Sequence, residues 1–231
     1  IGSFEPLISR EYRLEVDERM DADGNVVTAL DEDGVRAAAE KLVALGCESL
    51  VIHFLHAYAN DSHEKRAAEI AAAVWPNDHI TYGSAILAEF REYERGVAAA
   101  VNAAIQPVLT RYLERLRDEL NNGGYSRDLL VMQGNGGTVS SAVVAKSAIN
   151  TVMSGPASGV MAAAFTGARS GFENIISYDM GGTSSDVGLI GGGIPAVSSE
   201  LQLEYGMPIH VPMVDVHTSG AGGGSIAFIN D

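Results

Sequence analysis

The stretch Asn174-Ile-Ile-Ser-Tyr-Asp179-Met-Gly181-Gly182-Thr183-Ser184-Ser185-Asp186-Val-Gly-Leu-Ile190 sets two apolar, strand-length runs on either side of a bend almost free of side chains. Glycines there let successive backbone N–H groups approach a bound oxyanion, and Thr183 and Ser184 add hydroxyl donors. Asp179 and Asp186 then stand beside an anion pocket, a pairing that makes sense when a divalent cation, Mg2+ above all, sits between them. A plain hairpin would account for the glycines. It gives no reason for an acid at the end of one strand and a second acid seven residues on.

A related pattern follows downstream. Pro212-Met-Val-Asp215-Val-His217-Thr-Ser-Gly220-Ala-Gly222-Gly223-Gly224-Ser225 delivers an acid and an imidazole to a loop that is almost all glycine. Such a loop wraps a phosphate closely because no Cβ obstructs it. On a regular strand Asp215 and His217 point to one face, as metal ligands or as a base with its orienter. For His217 alone a satisfied buried histidine is the simpler reading. Upstream, Ser154-Gly-Pro-Ala-Ser-Gly-Val160 opens a small-residue helix whose N-terminus suits either tight packing or a phosphate oxygen. Gln133-Gly-Asn-Gly-Gly137 offers amides, but a hairpin turn looks the same. Neither a P-loop nor a Gly-x-Gly-x-x-Gly signature is present. Beyond Lys146 the only Lys or Arg is Arg169, so phosphate charge in this region would be balanced by amides, helix ends and metal.

The whole chain has 231 residues, with 15 Lys and Arg against 30 Asp and Glu, a formal charge of −15 that leaves no basic footprint for nucleic acid. One cysteine, Cys47, excludes a disulfide framework and a cysteine zinc site. No apolar run is long enough to span a membrane, and no charged segment leads into an apolar one at the start, so a soluble, cytoplasmic protein is expected. Of 26 glycines, 20 lie between Gly123 and Gly224. The expected division is therefore a charged, helix-rich region over 1–122 and a glycine-rich region over 123–231, parted at Asn121-Asn-Gly-Gly124.

The pattern predicts a strand at Tyr12–Val16, a turn at Asp21–Gly24, and a helix from about Glu32 to Leu45, capped by Asp31 and closed by Gly46. Ser49–Leu55 reads as a buried strand, followed by a helix from Asn60/Asp61 to about Val74. A long helix over about 89–121 carries an apolar series at Val97, Val101, Ala104, Ile105, Val108, Leu109, Tyr112, Leu113 and Leu116, with Pro107 expected to kink or divide it. Strand Leu129–Met132, a short helix capped by Ser140 or Ser141, and a helix from Gly155 to Arg169 come next. Strands are expected at Asn174–Asp179, Ser185–Ile190, Ile194–Val197, Ile209–Val211, Val214–His217 and Ser225–Ile229. Strand, helix and strand in alternation give the α/β class. His53, His56 and His63 match no zinc spacing and read as packing or capping residues. Arg91, Glu92, Glu94 and Arg95 read as a solvated, salt-bridged face.

Taken together, Asp179–Val187, Ser154–Gly159 and Asp215–Ser225 resemble the hydantoinase A/5-oxoprolinase family. Leu55-His-Ala-Tyr-Ala-Asn60 with His63-Glu64, Glu92-Tyr-Glu-Arg95 and Met132–Gly137 are similar to that family in the same order. The resemblance implies an actin/sugar-kinase/Hsp70-like fold, with ATP and Mg2+ as cofactors. Residues 1–122 would close a first α/β lobe and 123–231 would open a second. It implies an ATP-dependent enzyme that opens a hydantoin, an N-methylhydantoin or 5-oxoproline after phosphorylating its carbonyl oxygen. The alternatives are a subunit of an acetone- or acetophenone-type carboxylase and a nucleotide-binding module without chemistry. Asp179, Asp186, Asp215 and His217 would be catalytic, with Asp179 and Asp186 on the metal. Gly181, Gly182, Thr183, Ser184, Gly220, Gly222, Gly223 and Gly224 would bind the nucleotide. A hydantoinase B-like partner or self-association is implied, and neither nucleic acid nor membrane. Family members usually begin with a separate Asp-x-Gly-Gly-Thr motif, which is missing before Asp179, so an internal fragment, inactive alone, is expected.

Overall fold

The computed structural model describes residues 6–202 and 208–229. These fall into two units, one of residues 6–127, 145–149, 201–202 and 208–211, the other of residues 128–144, 150–200 and 212–229.

The first unit opens with a 3-10 turn at Arg10–Tyr12 where a strand was expected, and residues 13–17 form no strand. Alternation alone makes no strand without a neighbouring edge to bond. β1 (Arg19–Met20) and β2 (Val26–Thr28) pair across a turn in which Asp21 accepts from the backbones of Asp23 and Asn25. Helix α1 (Glu32–Ala44) starts where the Asp31 carboxylate accepts from Gly34 N at 3.0 Å, and Gly46 leaves it at φ +81°.

β3 (Leu50–Ile52), α2 (Ser62–Ala72) and β4 (Ile80–Tyr82) make a parallel crossover unit, with Leu50, Val51 and Ile52 opposite Ile80, Thr81 and Tyr82. Its core gathers Val35, Ala39 and Leu42 of α1, Leu50 and Ile52 of β3, and Ala67, Ile70, Ala71 and Trp75. A short helix, α3 (Gly83–Ile86), leads to α4 (Glu92–Asn122), which is one uninterrupted helix with Pro107 inside it.

The buried face of α4 follows the apolar series read from the sequence only in part: Val97 and Leu113 are buried and Val101, Ile105, Leu109 and Leu116 half-buried. Val108 and Tyr112 are exposed, whereas Ala98, Ala99, Asn102, Ala103 and Gln106 are buried. Asn102 explains the rotation: its side chain donates to Thr81 Oγ1 at 2.9 Å and accepts from Ile149 N at 3.1 Å. Buried polar groups must be bonded, and these bonds fix which side of a small-residue helix faces inward.

In the second unit β5 (Leu130–Met132) and β6 (Thr138–Ser140) form a hairpin through Gln133–Gly137, with Gly136 at φ +83°. α5 (Ser141–Val144) follows, and then α6 (Ser154–Arg169), β7 (Ile175–Met180), β8 (Ser185–Gly191), β9 (Ile194–Pro195) and β10 (Val197–Ser198). β11 (Leu201–Gln202) and β12 (Pro208–Ile209) pair within the first unit. β13 (Met213–Val214) pairs with β10, and β14 (Val216–Ser219) with β8. The sheet order is β14-β8-β7, antiparallel throughout. α6 covers one face of it through Ala157, Val160 and Ala164 against Ile190, Val214 and Ile175. Gly188 is required there, because a Cβ would stand 2.4 Å from Val160 Cγ2. The expected strand at Ser225–Ile229 is absent; those residues have no regular structure.

Candidate functional site

β7 and β8 pair in a register that sets Asp179 opposite Asp186 and Met180 opposite Ser185, with Gly181 N donating to Ser184 O at 2.9 Å. Side chains directly opposite on an antiparallel pair share a face with Cβ atoms about 4.5–5.5 Å apart, and like charges placed so repel. Across β8 from Asp186 lies Thr218, whose hydroxyl donates to Asp186 Oδ1 at 2.6 Å. Asp179 is exposed and Asp186 half-buried, and neither has an ion pair with Lys or Arg among the described residues.

The two glycine segments meet backbone to backbone. Gly223 N donates to Gly181 O at 3.0 Å, Gly224 N to Gly182 O at 2.9 Å, and Gly222 N to Ser225 Oγ at 3.0 Å. A Cβ at Gly222 would lie 2.7 Å from Thr183 N and 2.8 Å from Gly181 O, so the contact exists only because neither loop has side chains there. Ser185 Oγ ties the same loop down by donating to Ala221 O at 2.6 Å and receives the Tyr178 hydroxyl at 3.2 Å.

Amides the sequence offered to a phosphate are thus divided. Those of Gly223 and Gly224 brace the hairpin bend and that of Gly222 closes its own loop, while Gly182 N and Thr183 N have no hydrogen bond among the described residues. Gly220 is exposed, with nothing within 4 Å of the place its Cβ would take.

His217 does not join the acids. It stands in register with Val187, one position along from the Asp186–Thr218 pair, and so on the opposite face of the sheet. Asp215 falls between β13 and β14, bonded through its N–H to Ala196 O, so the regular strand that would align it with His217 is interrupted. Both side chains are exposed.

The N-terminus of α6 lies at the bend's end of the sheet, since Val160 packs on Gly188 and Gly167 on Ile175 farther along. Its cap, Met153, is left-handed at φ +60° and gives no side-chain bond, leaving the N–H groups of Ser154 and Gly155 unbonded within the helix.

Two facing carboxylates with a hydroxyl alongside form an all-oxygen donor set that fits Mg2+ retaining several waters. Among the described residues no three His, Cys, Asp or Glu side chains gather to hold a metal. Free bend amides, bared by glycine, fit the phosphate of a nucleotide.

In the first unit the structure reverses one expectation. Arg95 and Glu64 are fully buried, and they pair at 2.9 Å. Glu64 also accepts from Phe54 N at 2.9 Å and Ser84 N at 2.7 Å. Arg95 further donates to Phe54 O and to Glu92, whose other oxygen accepts from His56 N at 2.8 Å. Only Arg91 and Glu94 form the exposed pair expected of this turn. His63 bonds Glu18 at 2.9 Å, a packing role as read, and His56 takes φ +59°.

His53 sits 3.9 Å from both the Glu64 and the Glu92 carboxylates. Burial and then the Arg95 charge nevertheless outweigh the two acids, holding its pKa below the ordinary 6.5 and its ring neutral. The unfolded chain therefore takes up a proton near pH 6.5 that the folded one refuses. Stability should be intact above that pH and fall as pH drops toward the folded pKa. Melting temperatures of wild type and His53→Gln between pH 8 and 5 should show the slope flattened in the variant.

The hydantoinase/oxoprolinase family model matches residues 95–231, and the model of that family's N-terminal region matches residues 3–75. Caprolactamase subunit alpha of Pseudomonas jessenii is 35% identical over 226 residues, covering 97% of this chain and 32% of that one. The crystal structure of the ATP-dependent caprolactamase from that organism superposes with a TM-score of 0.81 over 94% of this chain and 31% of that one, at 34% identity. A nucleotide-free acetone carboxylase, from work on ATP-dependent acetone carboxylation, gives 0.76 at 31% identity, over 90% of this chain and 29% of the other. The 5-oxoprolinase of Saccharomyces cerevisiae is 31% identical over 202 residues, 87% of this chain and 15% of that protein. The chain thus spans about a third or less of these relatives and shares their mixed α/β fold. Among the described residues no helix is long and apolar enough to cross a membrane. On the match across both its halves, this chain belongs to the hydantoinase/oxoprolinase family.

Proposed function

We propose that this chain carries the phosphate- and cation-binding part of an ATP-dependent hydrolase that opens a cyclic amide, namely a hydantoin, an N-methylhydantoin or 5-oxoproline. One observation carries the reading. Two carboxylates face each other in register beside a bend whose amides are bare and whose backbone is braced by a second glycine loop. Like charges set opposite cost stability, so the arrangement is best understood through what it holds.

In this reading Asp179 and Asp186 hold Mg2+, Gly182 and Thr183 donate N–H groups to a phosphate, and the first turn of α6 adds its dipole. The cation supplies neutralisation of the polyphosphate charge. Thr218 holds the Asp186 carboxylate in place, and the 220–224 loop keeps the bend rigid. ATP gives its terminal phosphoryl group to the amide carbonyl oxygen. Water then adds at the activated carbon, the ring C–N bond breaks with a proton going to nitrogen to leave an acyl phosphate, and a second water releases inorganic phosphate and the carboxylate. Residues 1–122 would end a first actin-like lobe and 123–231 begin a second, in a cytoplasmic enzyme working with a hydantoinase B-like subunit.

The likeness to acetone carboxylase favours a second reading, a ketone carboxylase subunit. The gene product, purified with ATP and a panel of hydantoins, lactams and ketones, should release phosphate faster with a cyclic amide and without bicarbonate. Stimulation only by a ketone plus bicarbonate would establish the second reading. Nucleotide binding with no turnover under any condition would leave a binding module.

A further inference from the structure

Parallel strands β3 and β4 send their carboxyl ends to the same edge of the first unit, the edge at which open α/β sheets bind ligands. His53 follows β3 directly, Gly83 and Ser84 follow β4, and the first turn of α4 brings Glu92 and Arg95 to the same place. The His53 ring is held in a slot formed by glycines. A Cβ at Gly83 would stand 2.9 Å from its Nδ1, and one at Gly96 would stand 3.3 Å from its Nε2.

A ring fixed this firmly for structure alone would be expected to bond. Its Nδ1 does not: it is buried and has no hydrogen-bond partner among the described residues, while the Glu92 backbone lies beside the ring. Most of the surrounding network is closed to solvent, with Arg95 and Glu64 at 0% exposure, and Arg95 Nε and Ser84 Oγ buried without a partner among the described residues. Only His53, at 27%, and Glu92, at 28%, open outward, with Nε2 and Oε2 3.9 Å apart.

We propose that the His53–Glu92 pair is the seat of the ring amide, an inference that rests on the cyclic-amide reading above and gives it a substrate site. A cyclic amide is held cis and so presents its N–H and C=O side by side. The Glu92 carboxylate accepts from the N–H, and the His53 imidazole, protonated at Nε2, donates to the C=O. The 3.9 Å spacing lets both bonds form at once. A trans amide, with its two groups on opposite sides, makes only one of them.

Charge narrows the choice further. Glu64 and Glu92 against Arg95 leave the cluster with one net negative charge, and its only cation is already bonded to both acids and to Phe54 O. The site therefore prefers an uncharged ring, hydantoin or 2-piperidone, over 5-oxoproline, whose carboxylate it would repel.

The test uses the purified gene product with hydantoin, 2-piperidone and 5-oxoproline as probes, and His53→Phe and His53→Gln as variants whose folding is checked by melting. Expected are a lower KM for the uncharged rings and a rise of ten-fold or more in that KM for His53→Phe. His53→Gln, which keeps a donor, should recover part of it, and the KM for ATP should stay within two-fold throughout. An unchanged ring KM in a folded His53→Phe protein overturns the proposal. Where no ring stimulates phosphate release, the hydrolase reading fails by itself. The imidazole NMR signal of His53, absent from the His53→Gln spectrum, then decides the site: a shift on adding 2-piperidone at millimolar concentration supports it, and no shift overturns it.

Discussion

Arg95→Met is expected to destabilise the protein by about 3–5 kcal/mol, because it strands the fully buried Glu64 carboxylate without its counter-charge. The two remaining donors, Phe54 N and Ser84 N, do not neutralise it. Removing both charges should be far milder, since an apolar or neutral pair of similar volume often equals a buried ion pair. Chemical denaturation of Arg95→Met, Glu64→Gln and the double variant checks this. A double variant as unstable as the sum of the singles would mean the two side chains act separately.

Gly222→Val should have the second large effect, and it falls on the bends. The new Cβ would press on Thr183 N and Gly181 O, both backbone, which cannot swing aside as a flexible side chain does. Overpacking of this kind costs about 1–3 kcal/mol, and the cheapest relief is to part the loop from the hairpin. Gly223 N and Gly224 N would then lose their carbonyl partners. A ten-fold or greater loss of nucleotide affinity should accompany a modest fall in melting temperature. Gly220→Val, in open space, should change neither.

The hairpin carrying these bends was legible because its signal is local. Two apolar runs around Gly181-Gly182 leave one sensible pairing, and β7 and β8 form within a residue of the expected bounds. Asp31 as a cap and Gly46 as a terminator were legible for the same reason. What failed depended on distant partners. Arg95 looks like any exposed helical arginine until Glu64, 31 residues earlier, is placed against it. The inward face of α4 turns on Asn102 meeting Thr81 and Ile149, which no apolar periodicity encodes. β4 went unread because three residues after Pro76 carry too little pattern, and they are a strand only because β3 offers an edge. Asp215 and His217 share a face only on an unbroken strand, and the strand is broken at Asp215. The bare Gly222–Gly224 loop reads as wrapping a ligand, and its contact with the other bend, to which Gly223 N and Gly224 N donate, has no signal in the sequence.

The central claim is that Asp179 and Asp186 face each other in order to hold a cation on a nucleotide's phosphates. Calorimetric titration of ATP with Mg2+ into wild type, Asp179→Asn and Asp186→Asn tests it most directly. Each variant should melt no lower than wild type, since a like-charge pair has been relieved, and each should lose most of its Mg2+-dependent ATP affinity. Full Mg2+-dependent affinity in both folded variants would contradict the account.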